Sequence, residues 1–146
     1  MTDPYAHGMI NHNPYAKKKI VTARVVAVLR GTMDKRGLSL IAPKSRALRR
    51  SEIHEIIVTD EKQAGPGKQV NHIGYIAFVE IIEGGVVVTG DFVRVSTNNS
   101  KIGTVVGFDE THMPNHQNIV IFSEKITTGE DMSIGLNDLV LFWRED

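Results

Sequence analysis

Three features predict an all-β fold, a small single-domain antiparallel β-barrel with at most one short helix. Runs of β-branched residues recur at regular spacing, and glycine-containing turns separate them. The segments "TGDFVRV" (89–95) and "LNDLVLF" (136–142) also echo one another as turn, aspartate and alternating strand. An aspartate just before a strand can accept bonds from nearby backbone amides, so Asp91 and Asp138 are expected to be structural.

The elements follow in order. "KKIVTARVVAVLRG" (18–31) reads as a long strand ending at Gly31. Gly37 and Pro43 interrupt the next segment and leave "LSLIA" as a short strand. In "KSRALRRSEIHEIIVTD" (44–60), Ala47, Leu48, Ile53, Ile56 and Ile57 recur at helix-compatible offsets. A short helix or turn is expected there, followed by a strand. "EKQAGPGKQVNH" (61–72) is a loop, read as a mobile hairpin or flap. A phosphate-binding P-loop is excluded because Gln69 follows Gly67-Lys68 and no helix follows. "IGYIAFVEII" (73–82) is apolar enough for burial on both faces. Further strands are expected in 86–97 around a bend at Gly90-Asp91, then in 102–108, 118–126 and 136–143.

With 146 residues the chain fits one domain, divided into an N-terminal arm (1–16) and a barrel (17–146). Tyr5, Met9, Ile10 and Tyr15 give the arm apolar groups that could dock on the barrel or on a second subunit. Cysteine is absent, which excludes disulfides, thiolate metal sites and cysteine nucleophiles. No apolar run is long enough for a transmembrane helix, and the N-terminus lacks the apolar stretch of a signal peptide. A cytoplasmic protein without membrane contact is expected. The net charge of zero conceals a split. Residues 1–50 carry 11 Lys/Arg against 2 Asp/Glu, whereas residues 51–146 carry 6 against 15. The favoured reading is that the two halves lie against each other, within the chain or between subunits.

One loop holds most of the chemistry-bearing side chains. "GFDETHMPNHQNIVIF" (107–122) offers Asp109, Glu110, Thr111, His112, Asn115, His116 and Asn118 as ligand-binding candidates, and His72 could join them at a barrel mouth. His112 and His116 have the spacing of a helical zinc pair, but Pro114 lies between them and the segment lacks helical periodicity. A loop-built divalent metal site of His112, His116 and Asp109 remains one expectation. Histidine acid–base catalysis is another. Asp109, Thr111, Asn115 and Asn118 are also residues that bond their own backbone, so a purely structural turn is the competing explanation. His54, beside Glu52 and Glu55, is expected to be solvated.

The basic run "KSRALRRSE" supplies Arg46, Arg49 and Arg50, which with Lys17, Lys18 and Lys19 could line a phosphate-binding face. Nucleic-acid sites on β-barrels usually add exposed aromatics, and only Tyr15 lies near these clusters, so nucleic acid is disfavoured.

The order "GYIAFVEIIEGGVVVTGDFVRV", "IGTVVGFD", "NIVIFSEKI", "IGLNDLVLFW" over about residues 53–143 resembles the glucitol/sorbitol-specific enzyme IIA component of the sugar phosphotransferase system. The resemblance implies a small β-barrel. That family's phosphorylated histidine lies in the strand corresponding to "GYIAFVE", which has no histidine here, so phosphocarrier activity is not implied.

The function expected first is a non-catalytic module that uses loop 109–118 to bind a small polar ligand or to assemble, with a homo-oligomer as the assembly. The alternatives are a small histidine-dependent, metal-assisted enzyme, and a phosphate or nucleic-acid binder acting through residues 44–50.

Overall fold

The computed structural model describes residues 14–97 and 99–144. The proposed docking residues Tyr5, Met9 and Ile10 lie outside them. The strands are β1 (Val21–Val28), β2 (Thr32–Met33), β3 (Leu38–Ser39), β4 (Ser45–Leu48), β5 (Ile53–Thr59), β6 (Gln69–Val70), β7 (Ile73–Glu83), β8 (Gly85–Val88), β9 (Phe92–Val95), β10 (Ser100–Asp109), β11 (Asn118–Phe122) and β12 (Leu139–Trp143). No helix occurs among the described residues, so none of them crosses a membrane as a long apolar helix.

The sheet closes into a barrel. Its ring runs β1–β12–β9–β10–β11–β5–β7, and β7 pairs back to β1. Closure leaves these strands no free edge. Every pairing is antiparallel except β5 with β11, where Asn118 to Phe122 run alongside Glu55 to Thr59. The parallel pair puts the starts of β5 and β11 at the same place, so the turn before β5 and the loop before β11 become neighbours.

Two cores follow from strand alternation. Val25, Ile56, Val58, Phe108, Ile119, Ile121 and Phe142 belong to the main core inside the barrel. Their sequence neighbours Ile57 and Val120 face the other way and pack with Leu38, Leu40, Val70 and Ile73 in a second core on the outer wall. The small β3–β6 sheet covers that second core. Its segment is tied down by Leu40 N–H donating to Lys68 O at 2.9 Å and Gly67 N–H donating to Leu40 O at 3.1 Å. The Gly-Pro-Gly loop therefore anchors this cover.

Of the short helix or turn expected within residues 44–60, the turn is formed and leads into a strand as expected, and no helix is. Residues 45–48 are a strand paired with β8, and a turn at 49–52 leads into β5. Helical offsets in so short a run also suit a strand and a turn, and cross-strand pairing decides between them.

The echoed segments form one repeated turn. Asp91 accepts from the Val88 amide at 3.0 Å, and Asp138 accepts from the Gly135 amide at 2.7 Å. The residue before each aspartate is left-handed, Gly90 at φ 94° and Asn137 at φ 71°. Each turn also grips a neighbouring strand in the same way. Gly90 donates to Val105 O and Val105 donates to Asp91 O, while Asn137 donates to Val25 O and Val25 donates to Asp138 O. Asp91 and Asp138 are thus structural, as their position suggested.

The two charge halves meet within the chain. Lys18 reaches Asp91 at 2.8 Å with both side chains buried. Arg24 pairs with Glu80, Arg46 with Glu110, and the more exposed Arg30 with Glu130. Tyr15, the last aromatic of the arm, donates to Ser45 Oγ at 3.1 Å.

Candidate functional site

The outer wall of the barrel, beside the second core, carries a corner of converging titratable side chains. Its floor is Glu55 on β5 and Phe78 on β7, which face each other across the antiparallel pair. Its roof is the loop 110–117, shaped by Met113 N–H donating to Glu110 O at 3.0 Å and Asn115 N–H donating to His112 O at 2.9 Å. The Met113–Pro114 peptide is cis. Its rim is Arg36, in the loop between β2 and β3, held by Arg36 N–H donating to Asn71 O at 3.0 Å.

His116 is the centre. Its ring meets Phe78 edge-on at 5.1 Å and lies against the His112 ring at 5.1 Å. Nδ1 faces Asn115 Oδ1 at 3.0 Å and Nε2 faces Glu55 Oε1 at 3.4 Å. The side chains of His116 and Glu55 are only 12% and 10% exposed, so the pair sits largely out of water. Among the described residues, His116 Nε2 has no hydrogen-bond partner. With Nδ1–H donating to Asn115, a bond between Nε2 and the carboxyl requires one proton on either group. Burial raises the Glu55 carboxyl above its ordinary range, and the neighbouring His116, Arg36 and His112 pull it only part of the way back. One guanidinium nitrogen of Arg36 donates to His112 Nε2 at 3.2 Å. A guanidinium only donates, so His112 accepts there and is neutral.

A second set of residues holds the loop in place. The Gln117 amide donates to His54 Nδ1 at 2.9 Å, which fixes His54 as the neutral Nε2–H form, with Glu52 Oε1 3.3 Å from Nε2. His54 is therefore buried rather than solvated. Strand alternation turns it to the same side as Ile56, and burial lowers its pKa despite Glu52. The Gln117 side-chain amide donates to Glu110 at 2.9 Å, and Glu110 also pairs with Arg46.

The loop candidates therefore separate. His112 and His116 converge with Asn115 in support. Asp109 does not join them. Its carboxylate accepts from Ser39 N–H and Thr111 N–H at 2.9 Å each and from Asn118 Nδ2 at 3.1 Å. Burial alone would raise its pKa, and these bonds lower it instead. The Asp109–His112–His116 metal site is thus not built, because the aspartate is turned to the backbone. Among the described residues no group of three or more His, Asp or Glu is arranged to hold a metal. Thr111 and Asn118 belong to this turn scaffold.

His72 sits in an acidic setting of its own. Nδ1 faces Asp60 at 2.9 Å and Nε2 faces Asp34 at 3.5 Å, and the Asp60 bond raises its pKa. Arg46 is committed to Glu110. Arg49 anchors the turn through its amide, which donates to Glu52 at 2.7 Å, and the Arg50 side chain is exposed. Of the three arginines, Arg46 alone is thus tied by its side chain to a carboxylate among the described residues. The aromatics absent from that run appear on another wall, where Phe92 and Trp143 pack at 5.5 Å with Arg94 and Lys101 over their rings.

Residues 15–143 match a family of unknown function, DUF6917. The chain belongs to that family. No curated protein and no solved structure matches it.

Sequence reasoning missed Arg36, Glu55 and Phe78 as site residues. A carboxylate in the middle of "EIHEIIVTD" was the available signal, since a lone Glu is rarely buried in an apolar strand. Arg36 left none. Only the path of the β2–β3 loop brings it to His112.

Proposed function

We propose that this protein is a ligand-binding module that receives a small polar molecule at the corner formed by loop 110–117, Arg36 and Glu55. The observation that carries the reading is convergence. Arg36, Glu55 and the pair His112 and His116 come from three separate segments, yet meet around buried polar atoms that a turn alone does not need. Asp109, Asn118, His54 and Gln117 hold the loop still, which lowers the cost of ordering it on binding.

The test is ligand-observed and protein-observed NMR with a library of small polar compounds on the full chain. The expected result is shifts confined to residues around Arg36, His112 and His116. His112→Ala with His116→Ala should remove them while the thermal transition stays within a few degrees. Shifts that persist in the double variant would refute the reading.

The enzyme reading keeps one favourable observation, the Glu55–His116 contact at 3.4 Å, which is the arrangement of an oriented acid–base histidine. Turnover of any compound that binds, lost in Glu55→Gln without loss of binding, would favour it over simple binding.

A further inference from the structure

We propose that the ligand is an anion, a molecule presenting a carboxylate or phosphate-type group, and that it displaces His112 from Arg36. This rests on the binding reading above. The present partner of Arg36 at this corner is a neutral imidazole nitrogen at 3.2 Å. An anionic oxygen is a better acceptor for a guanidinium, because charge-assisted bonds are roughly twice as strong as neutral ones and can engage both arms of the fork. His112 thus occupies the position an anion would take. His112 is exposed and Arg36 half-buried at the rim, so the exchange needs no opening of the core.

Releasing His112 frees its imidazole to offer its ring N–H to the same anion. His116, its ring tilted against that of His112 at 5.1 Å, supplies a second imidazole. The surrounding charges permit this. Glu55 faces His116 from β5, Phe78 meets it from β7 with an uncharged ring, and Glu80, next on that face of β7, is paired with Arg24. Glu110 is neutralised by Arg46, and Asp109 is held by Ser39, Thr111 and Asn118. His54 is turned to Gln117 and Glu52. Among the described residues no carboxylate lies within ion-pair distance of Arg36, whose charge acts on Glu55 from further away. Anion binding therefore draws a proton onto the Glu55 carboxyl, which burial already raises.

Sulfate and oxalate test the two ligand sources, since both keep a fixed charge across neutral pH and any proton taken up must go to the protein. Calorimetric titration of the full chain is run at about pH 6 and about pH 8, in buffers of differing ionisation heat. The expected result is binding of at least one of the two, tighter at the lower pH by up to about tenfold per unit, with proton uptake visible in the buffer dependence. Sulfate alone would assign a phosphate-type group, and oxalate alone a carboxylate. Arg36→Ala should reduce affinity at least about tenfold. Glu55→Gln should keep binding and change the number of protons taken up. Binding that is independent of pH and buffer would overturn the displacement. So would uncharged polyols shifting Arg36 and His112 while neither anion does, and that outcome would leave the binding module standing. If no compound of any charge perturbs the corner, both readings fall together.

Discussion

At the residue scale, two buried polar groups determine how the site loop is held. Asp109 accepts three hydrogen bonds with 1% of its surface exposed. Asp109→Asn keeps the shape but loses the charge and one acceptor, and should cost about 1–3 kcal/mol at neutral pH by chemical denaturation. The folded-state pKa lies below the ordinary 3.8, so the ionised form's contribution is full above that value and is lost as pH falls through the folded value. The gap between wild type and variant should persist down to mild acid and close only below it. His54 has the opposite chemistry but the same direction. It is held neutral in the fold, with its pKa below 6.5. Above 6.5 both folded and unfolded states are neutral there. As pH falls through 6.5 the unfolded chain takes a proton first, and stability declines until the folded group titrates as well. His54→Leu should cost about 1–3 kcal/mol at pH above neutrality by stranding the Gln117 amide. Its deficit should narrow on acidification. A deficit that stays constant with pH would show that His54 is not held neutral.

At the element scale, the repeated turn offers an internal control. Asp91 and Asp138 each accept a bond from the amide three residues back, but only Asp91 also meets a buried lysine, Lys18 at 2.8 Å. Removing one member of a buried pair leaves the other charge uncompensated. Asp91→Ala should therefore cost about 3–5 kcal/mol, whereas Asp138→Ala should cost about 1–2 kcal/mol. Equal losses in urea melts would mean that the lysine contributes nothing. Asn137 holds a left-handed conformation at φ 71° where the matching residue is Gly90. That difference reflects tolerance rather than need, since asparagine enters this region at little cost. The existence of both turns was readable from "TGDFVRV" and "LNDLVLF". Their grip on Val105 and Val25 was not, because it depends on which strand lies alongside.

At the scale of the whole molecule, charge and closure act together. The basic first half and the acidic second half are interleaved by a ring in which β1 lies between β7 and β12. The outermost pairs, Lys19–Glu83 and Arg30–Glu130, are long and more than half exposed. Each should contribute about 0–1 kcal/mol and be screened by salt. Raising sodium chloride several-fold should therefore move the thermal midpoint by only a few degrees. A collapse of the fold in salt would mean that surface charge, not the two cores, holds the barrel closed.

By itself the sequence determined what local chemistry can determine. The β-branched runs and glycine turns specified an all-β barrel, the two aspartates specified their turns, and the residues of "DETHMPNHQN" specified a stiff polar loop. In each case the partners lie within a few residues, so the pattern carries the information. Only the tertiary structure decided which side chains meet. The parallel pairing of β5 with β11 puts Glu55 beneath His116, the β2–β3 loop brings Arg36 to His112, and the scaffold bonds turn Asp109 away from both. Those contacts join residues 61 to 76 positions apart along the chain, and spacing in sequence does not encode distance across a closed sheet.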